Sequence, residues 1–223
     1  MIIKKNKVIL FIQARMSSNR LKGKVLKKIN RITILEHVFK RVSNVFNKKD
    51  IVILTSKETD DDKIYDLCIK KNFNIFRGNL DNVGIRYNQA LKTYKCNFFF
   101  RVTGDSPLLD SNSIKLFLET FYKNTKIDLI SNVVNRTFPK GQSLEMINAD
   151  TFTKNIKIFS KYNENFTQPF YKKNNFRIIS IENRLNLSKY NLSVDTVNDL
   201  VRIRKIFYKF KDIDQYNFNS FIK

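Results

Sequence analysis

The sequence has few of the residues that build linkers, disulfide frameworks or metal sites. Its 223 residues include 5 glycines, 3 prolines, 2 cysteines, 1 histidine and no tryptophan. Two separate thiols, Cys68 and Cys96, exclude a disulfide scaffold and a Cys-x-x-Cys zinc site. With so little glycine and proline we find no linker and no repeat, and we predict one domain over residues 1–223, with a small subdomain considered at about 130–188.

Long hydrophobic runs are also missing. No stretch approaches the roughly 20 apolar residues that a membrane-spanning helix needs. Near the start, lysines precede a short apolar run at residues 8–12, and Gln13 and Arg15 follow it without a small-residue cleavage site. This is not the pattern of a secretory signal. We therefore expect a cytoplasmic protein with no membrane insertion.

Acidic residues are scarce relative to basic ones. Lysine and arginine number 42, aspartate and glutamate 20, and the formal net charge is +22. Such an excess is typical of proteins that bind nucleic acid or polyphosphate. Lysine, however, outnumbers arginine by 30 to 12, a bias that general composition also produces, so a diffuse background charge remains open. The 42% of hydrophobic residues exclude a disordered chain.

The order of the predicted elements indicates an α/β fold. Continuous apolar runs at 8–12, 51–54, 75–76 and 98–100 are typical of buried parallel strands. Between them, apolar spacing of three or four residues predicts helices at 34–46, 60–71 and 83–94. This alternation predicts a doubly wound sheet with helices on both faces.

The second half of the chain is less regular. We predict strands at 128–130, 144–147, 177–181 and 192–194, some of them antiparallel. A helix is then predicted to run to Phe210, opened by Thr196 and Asp199 in a Thr-x-x-Asp capping-box pattern. The expected sheet is therefore mixed and mostly parallel.

In such a sheet, ligands bind beyond the carboxyl ends of the strands. The segment after the first predicted strand, residues 13–24 (QARMSSNRLKGK), carries Arg15, Arg20, Lys22 and Lys24 among small hydroxyl residues. Backbone amides and basic side chains of this kind suit a polyphosphate, although a solvated basic loop is the alternative. The segment matches neither the Walker A motif nor G-x-G-x-x-G.

Two aspartates follow later predicted strands. Asp105 lies in residues 101–107 (RVTGDSP), where Gly104 would allow close backbone approach, and Asp195 precedes the capped helix. Carboxylates at such positions can hold Mg²⁺ against nucleotide phosphates. An ordinary turn explains each aspartate equally well, and sequence alone does not bring the two together.

These segments, taken in order, resemble a known family. Residues 13–24 resemble the Q-A-R-M-G-S-T-R-L-P-G-K loop of the spore-coat polysaccharide synthesis F-type cytidylyltransferases, which are related to the CMP-Kdo and CMP-acylneuraminate synthetases. The similarity continues through residues 35–38 (LEHV), 76–83 (FRGNLDNV), 101–110 (RVTGDSPLLD), 138–145 (FPKGQSLE) and 193–200 (SVDTVNDL). Each motif is weak alone, whereas the ordered set over nearly the whole chain is specific.

The resemblance implies a Rossmann-like nucleotidyltransferase that transfers CMP from CTP to a sugar acid or a related phosphorylated metabolite, for surface-glycan precursors. It implies catalytic roles for Arg15, Lys24 and Asp105, and Mg²⁺ ligands at Asp105 and Asp195. The implied nucleotide contacts are Ala14, Arg15, Ser18, Arg20, Lys24, Gly78, Asp81 and Gly104. The implied acceptor contacts are Gly141, Gln142, Glu145 and Thr167, with a solvent-facing strand position as the alternative for Glu145.

The sequence departs from the family pattern at three positions. Ser17 replaces a glycine, Lys22 replaces a proline, and Asn165 replaces the histidine of the family's E-H-V-T segment. The resemblance places the segment of Asn165 toward the acceptor, and an acid-base role for the family's histidine does not carry over. Homodimers are common among the related synthetases, but nothing in this sequence defines an interface.

Three other features are given structural interpretations. His37, the one histidine, is predicted to be a structural helix residue. The aspartates at 60–62 resemble a D-x-D metal motif but fall where acidic residues favour a helix start. Residues 98–100 (FFF) are predicted to be a buried strand rather than a base-stacking surface.

Two alternative functions stay open. A glycosyltransferase that uses a nucleotide sugar could share this fold, but a well-placed D-x-D motif is missing. A basic nucleic-acid-binding protein would explain the net charge, but the sequence contains no helix-turn-helix, zinc-finger or RNP pattern.

Overall fold

The computed structural model describes residues 6–124, 126–173, 175–210 and 212–222. The strands in these ranges are β1 (Val8–Gln13), β2 (Lys28–Ile29), β3 (Ile32–Thr33), β4 (Ile51–Ser56), β5 (Asn74–Gly78), β6 (Phe98–Thr103), β7 (Leu129–Ser131), β8 (Glu145–Asn148) and β9 (Ile178–Ser180). The helices are α1 (Ile34–Ser43), α2 (Asp62–Lys71), α3 (Val83–Thr93), α4 (Ser111–Lys123), α5 (Ala149–Lys154), α6 (Ile156–Phe159), α7 (Gln168–Lys172) and α8 (Val197–Lys209). Short 3₁₀ turns lie between several of them.

Seven strands form one sheet in the order β5-β4-β1-β6-β8-β7-β9, and β2 and β3 form a separate hairpin. Strands β5, β4, β1 and β6 are parallel neighbours, whereas β8 is antiparallel to both β6 and β7. The predicted mixed, mostly parallel sheet is therefore confirmed. Strands β7 to β9 complete the same sheet, and the subdomain at 130–188 stays a prediction.

Two apolar layers cover the sheet. Alternate residues of β1 point to opposite faces. Leu10 belongs to the layer that contains the buried residues of α1, α2, α4 and α8, and Phe11 belongs to the layer that contains those of α3 and α5 to α7. The apolar strand runs predicted this arrangement, because a strand covered on both faces has no polar side. Phe98, Phe99 and Phe100 are all buried within β6, as predicted.

The observed helices follow the sequence signals closely. Thr33 and Glu36 form a capping box at α1, and Thr196 and Asp199 form the predicted one at α8. The predicted strand at 192–194 is wrong, because these residues belong to no strand. Asn191, just before them, forms an isolated bridge with Lys140, and no ladder extends from it.

No helix within the described residues is both long enough and apolar enough to span a bilayer.

Candidate active site

The loop after β1 is closed by two hydrogen bonds to one backbone carbonyl group. The backbone N–H groups of Ser18 and Gly23 both donate to the carbonyl oxygen of Met16 at 2.9 Å. A 3₁₀ turn over Lys24–Leu26 follows directly. This closure returns Lys24 to the carboxyl end of the sheet, close to where β6 ends.

Lys24 lies between two carboxylates that are far apart in sequence. Its Nζ is 2.5 Å from Oδ2 of Asp105 and 2.7 Å from Oδ1 of Asp195. Arg20 also contacts Oδ1 of Asp195, at 2.8 Å. The two aspartates, which the sequence could not place together, therefore share one ammonium group.

Backbone contacts hold these two aspartates in place. The N–H of Val194 donates to the carbonyl oxygen of Asp105 at 2.9 Å. The N–H groups of Asp195 and Thr196 donate to Oδ2 of Asp199, the capping-box residue of α8. Gly104 donates its N–H to Gln13 at 2.8 Å, and an added Cβ at Gly104 would lie only 3.1 Å from the same oxygen. A side chain would therefore crowd the backbone where β6 leaves the sheet beside β1.

The environment keeps Lys24 protonated at neutral pH. Burial lowers the pKa of its ammonium group, but the charge of Asp105 and hydrogen bonds to both carboxylates outweigh burial and raise that pKa above its ordinary value. The side chains of Lys24, Asp105 and Asp195 are 12%, 20% and 19% exposed. The group is thus partly shielded from water and open toward one side.

A cavity of about 320 Å³ opens on that side. Arg15 faces it and is ion-paired with Glu164, which lies in the segment leading into α7. Of the residues that the resemblance implies for the nucleotide, six line this cavity, together with both predicted metal ligands. These six are Ala14, Arg15, Ser18, Arg20, Lys24 and Gly104, and the metal ligands are Asp105 and Asp195.

Gly78 and Asp81 are placed elsewhere. They line a separate cavity of about 320 Å³ at the end of β5. The buried Arg86 shapes this region by donating to the carbonyl oxygens of Asn79 and Leu80 at 2.7 and 2.9 Å. Their role as nucleotide contacts stays a prediction.

A second cavity, of about 640 Å³, adjoins the first. The two share part of their walls, including Arg101, Asp105, Asn165 and Asp195. Three of the four predicted acceptor contacts line this second cavity: Gly141, Glu145 and Thr167. A small molecule in the second cavity would therefore lie next to a ligand in the first.

Glu145 joins β8 to β6 through an ion pair. It lies opposite Arg101 in the strand register, and the Nη1–Oε2 distance is 2.6 Å. Glu145 is buried, so the solvent-facing alternative is wrong. The hydroxyl of Tyr171 donates to Glu145 Oε1, and burial together with the charge of Glu145 raises the pKa of Tyr171.

Gln142 makes contacts inside the protein. Its side chain is fully buried, its oxygen accepts from the N–H of Asp110 at 2.9 Å, and its nitrogen donates to the carbonyl of Leu108 at 2.7 Å. Gly141 has φ +87°, and an added Cβ would lie 2.6 Å from the carbonyl carbon of Leu192. Both residues fix the loop before β8, and a direct acceptor contact by Gln142 stays a prediction.

Sequence reasoning missed the role of Asp61. This carboxylate is 1% exposed, lies in the 3₁₀ turn before α2, and accepts from the N–H of Met16 at 2.7 Å and the N–H of Ser56 at 3.0 Å. It thereby ties the first loop to the end of β4. The acidic run at 60–62 does mark a helix start, as predicted, and within the described residues no group of three or more His, Cys, Asp or Glu side chains is placed to hold a metal ion.

We expect Asp61→Ala to lower the free energy of unfolding by about 3 kcal/mol, because it leaves the buried N–H groups of Met16 and Ser56 without an acceptor. Urea unfolding measures the effect. Asp60→Ala is the matched control, since Asp60 is half exposed and pairs with the exposed Lys22 at 3.2 Å, and we expect a change within about 0.5 kcal/mol. Equal losses in the two variants would contradict this role for Asp61.

His37 is a structural residue, as predicted. It lies in α1, is buried, packs against Phe207 and places Nε2 2.9 Å from the carbonyl oxygen of Ile29. Burial lowers the pKa of its imidazole, so the ring is neutral at pH 7.

The sequence matches known proteins over most of its length. Residues 9–216 match the model of a family described as cytidylyltransferase. The chain is 30% identical over 217 residues to the spore coat polysaccharide biosynthesis protein SpsF of Bacillus subtilis, covering 92% of this chain and 88% of that protein. It is 32% identical over 134 residues to a 3-deoxy-manno-octulosonate cytidylyltransferase of Rickettsia canadensis, covering 59% of this chain and 54% of that one.

The fold also has a solved counterpart. The structure of a cytidylyltransferase from Leptospira borgpetersenii superposes with a TM-score of 0.91 at 29% identity, covering 97% of this chain and 92% of that chain.

Proposed function

The chain belongs to the cytidylyltransferase family, and from this premise we propose that it transfers CMP from CTP to a small acceptor through the Lys24–Asp105–Asp195 group, releasing pyrophosphate. Membership confirms the family that the ordered motifs predicted, together with the Rossmann-like nucleotidyltransferase fold and the use of CTP. The reacting residues and the acceptor belong to the proposal.

The observation that carries the proposal is the convergence of Lys24, Asp105 and Asp195 at one end of the sheet. In open α/β sheets this is the end at which ligands bind. Arg15 and Arg20 line the same cavity. The site thus combines cations suited to a triphosphate with carboxylates suited to a divalent cation.

The carboxylate pair fits Mg²⁺. Both aspartates direct an oxygen at one positive group, the ammonium of Lys24. Asp105 also accepts a hydrogen bond from Ser106 Oγ, and Asp195 also contacts Arg20. Proteins usually bind Mg²⁺ through one or two carboxylates, with substrate phosphates completing the set. Asp105 and Asp195 would hold the ion, which when bound would offset phosphate charge near the reacting phosphorus.

The chain's own residues then align the reactants and neutralise charge. An acceptor oxygen attacks the α-phosphorus of CTP, a new P–O bond forms, and the bond to the pyrophosphate group breaks. Lys24 and Arg15 would leave their carboxylate partners to contact the triphosphate, so charge that is balanced within the protein becomes balanced by substrate. Such positioning and electrostatic stabilisation account for most of the catalysis of phosphoryl transfer.

For the acceptor we propose a sugar acid or a related phosphorylated metabolite that enters surface-glycan synthesis. Two relatives, a spore coat polysaccharide biosynthesis protein and a 3-deoxy-manno-octulosonate cytidylyltransferase, support this class. The second cavity, next to the nucleotide cavity, supplies the space. We also propose a cytoplasmic location because CTP is the co-substrate, while the homodimer stays a prediction.

The proposal is tested by calorimetric titration of the purified protein with CTP and Mg²⁺, followed by a pyrophosphate-release assay over acidic sugars and phosphorylated alcohols. We expect CTP binding that requires the divalent cation, and pyrophosphate release with at least one acceptor. Failure of both would overturn the proposal. Sugar transfer from a nucleotide sugar, or RNA binding that weakens steeply with salt, would favour the two alternatives instead.

A further inference from the structure

Two basic side chains in the wall of the second cavity have no carboxylate partner among the residues that the structure describes. Its wall includes Arg20, Arg101, Arg136 and Lys140. Arg20 pairs with Asp195, and Arg101 pairs with Glu145. Within the described residues, Arg136 and Lys140 form no ion pair.

The carboxylates that face this cavity are already ion-paired with other side chains. Asp105 and Asp195 contact Lys24, and Glu145 contacts Arg101. The wall therefore presents uncompensated positive charge at Arg136 and Lys140, on the side supplied by the loop before β8. Uncompensated charge in a concave site attracts a ligand of the opposite sign.

That loop is fixed rather than free. Lys140 exchanges backbone hydrogen bonds with the segment before α8, donating to Tyr190 at 3.0 Å and accepting from Leu192 at 2.8 Å. The side chain of Arg136 donates to Ser143 Oγ at 3.1 Å. The backbone at Lys140 and the side chain of Arg136 are thus both held in place.

Buried contacts support the same loop from behind. Gln142 is held by Leu108 and Asp110, and the N–H of Leu144 donates to Asn132 Oδ1 at 2.8 Å. The close approach of Gly141 to Leu192 leaves no space for a side chain. Gln142 and Gly141 act as positioning residues for a charged surface, and Ser143 and Thr167 add hydroxyl groups beside it.

We propose that Arg136 and Lys140 bind the anionic group of the acceptor and so decide which acceptors are used. This rests on the proposed function, because it assigns the second cavity to the acceptor. Carboxylate and phosphate groups share the chemistry that these donors recognise. The acceptor oxygen that attacks is a separate group, and Asp105 lies in the wall that the two cavities share.

The experiment compares acceptors that differ in charge. Pyrophosphate release is measured with two carboxylates, N-acetylneuraminate and 3-deoxy-manno-octulosonate, with glycerol 3-phosphate, and with two neutral compounds, N-acetylmannosamine and glycerol. We expect turnover only with anionic members. The carboxylate and phosphate arms show which anion is used.

Variants then locate the effect. Arg136→Ala and Lys140→Ala should each raise the KM for the anionic acceptor roughly tenfold or more, because each variant loses one charge-assisted hydrogen bond. The kcat and the KM for CTP should stay within about twofold of wild type. Arg136→Lys should recover part of the loss. Lys115→Ala, an exposed lysine on α4, is the matched loss of charge and should change nothing. Because Lys140 is exposed, its variant keeps the test usable even if Arg136→Ala folds poorly.

An unchanged acceptor KM in Lys140→Ala and Arg136→Ala, or equal turnover of a neutral acceptor, would overturn this inference while CTP binding still supported the proposed function. If wild-type protein bound no CTP with Mg²⁺, the proposed function would fail, and the inference with it. The two failures are therefore distinguishable.

Discussion

Replacing Asp105 with alanine is expected to reduce pyrophosphate release from CTP by on the order of 10³-fold. The change removes one of the two carboxylates that we propose hold Mg²⁺, and it also removes the 2.5 Å contact to Lys24. Asp105→Asn should lose nearly as much, because an amide keeps the shape of the side chain but not its charge. The measurement is the initial rate at saturating CTP, Mg²⁺ and acceptor.

Asp150→Ala is the control for this prediction. Asp150 lies on α5, is 72% exposed and pairs with the equally exposed Lys154, so its removal should leave the rate within about twofold, as for surface substitutions in general. A rate for Asp105→Ala within tenfold of wild type would show that the reaction does not depend on this carboxylate.

Replacing Lys24 with methionine is expected to have two effects of opposite sign. Pyrophosphate release should fall by roughly 10²- to 10³-fold, because the substitution removes a cation that we propose stabilises the transferring phosphates. Binding of Mg²⁺ or Mn²⁺ without nucleotide should instead become stronger in the variant, because in the wild type Lys24 neutralises both Asp105 and Asp195. A divalent cation and this ammonium group compete for the same two carboxylates.

Thermal unfolding with and without the divalent cation measures the second effect independently of activity. Without the ion, Lys24→Met should unfold at a lower temperature than wild type, because two partly buried carboxylates face each other without their shared cation. Adding Mg²⁺ should raise the midpoint of the variant more than that of wild type, by linkage of binding to folding.

Lys22→Met is the matched control in the same loop. Lys22 is 74% exposed and contacts Asp60, away from the aspartate pair. It should show wild-type activity and wild-type response to Mg²⁺. A Lys24→Met protein that behaved like this control would contradict the role given to Lys24.

The sheet and its main helices were predictable because their signals are local. Apolar runs such as 51–54 bury a strand on both faces, and Thr196 with Asp199 caps α8 within one helical turn. The segment at 192–194 has the same composition as a strand, but its neighbour is a single loop residue, Lys140, and no ladder forms. Strand identity depends on a partner that composition does not reveal.

The site could be predicted only in pieces. Lys24, Asp105 and Asp195 each followed from their positions after predicted elements, whereas their contacts join residues 81 and 171 positions apart. Local patterns do not encode such distances, and only the ordered resemblance to a family brought the residues into one function. The ion pair between Glu145 and Arg101 was missed for the same reason, since it depends on the register of β8 against β6.

The structure shows where some of the basic residues behind the net charge of +22 lie. Lys24 and Arg20 contact the aspartate pair, Arg15 faces the first cavity, and Arg136 and Lys140 line the second cavity. These few cations surround two adjoining cavities suited to small anions. The charge therefore supports binding of one nucleotide and one acceptor more directly than binding of a nucleic acid strand.

Isotope tracing tests directly whether CMP passes from CTP to an acceptor at the Lys24–Asp105–Asp195 group. CTP labelled at the α-phosphate or at the γ-phosphate is incubated with Mg²⁺, the acceptor panel and either wild-type or Asp105→Ala protein, and the products are identified by mass. We predict that wild type places the α-label in a CMP–acceptor product and the γ-label in pyrophosphate, and that Asp105→Ala does neither. An α-label that never joins an acceptor, or one transferred equally well by Asp105→Ala, would contradict the account.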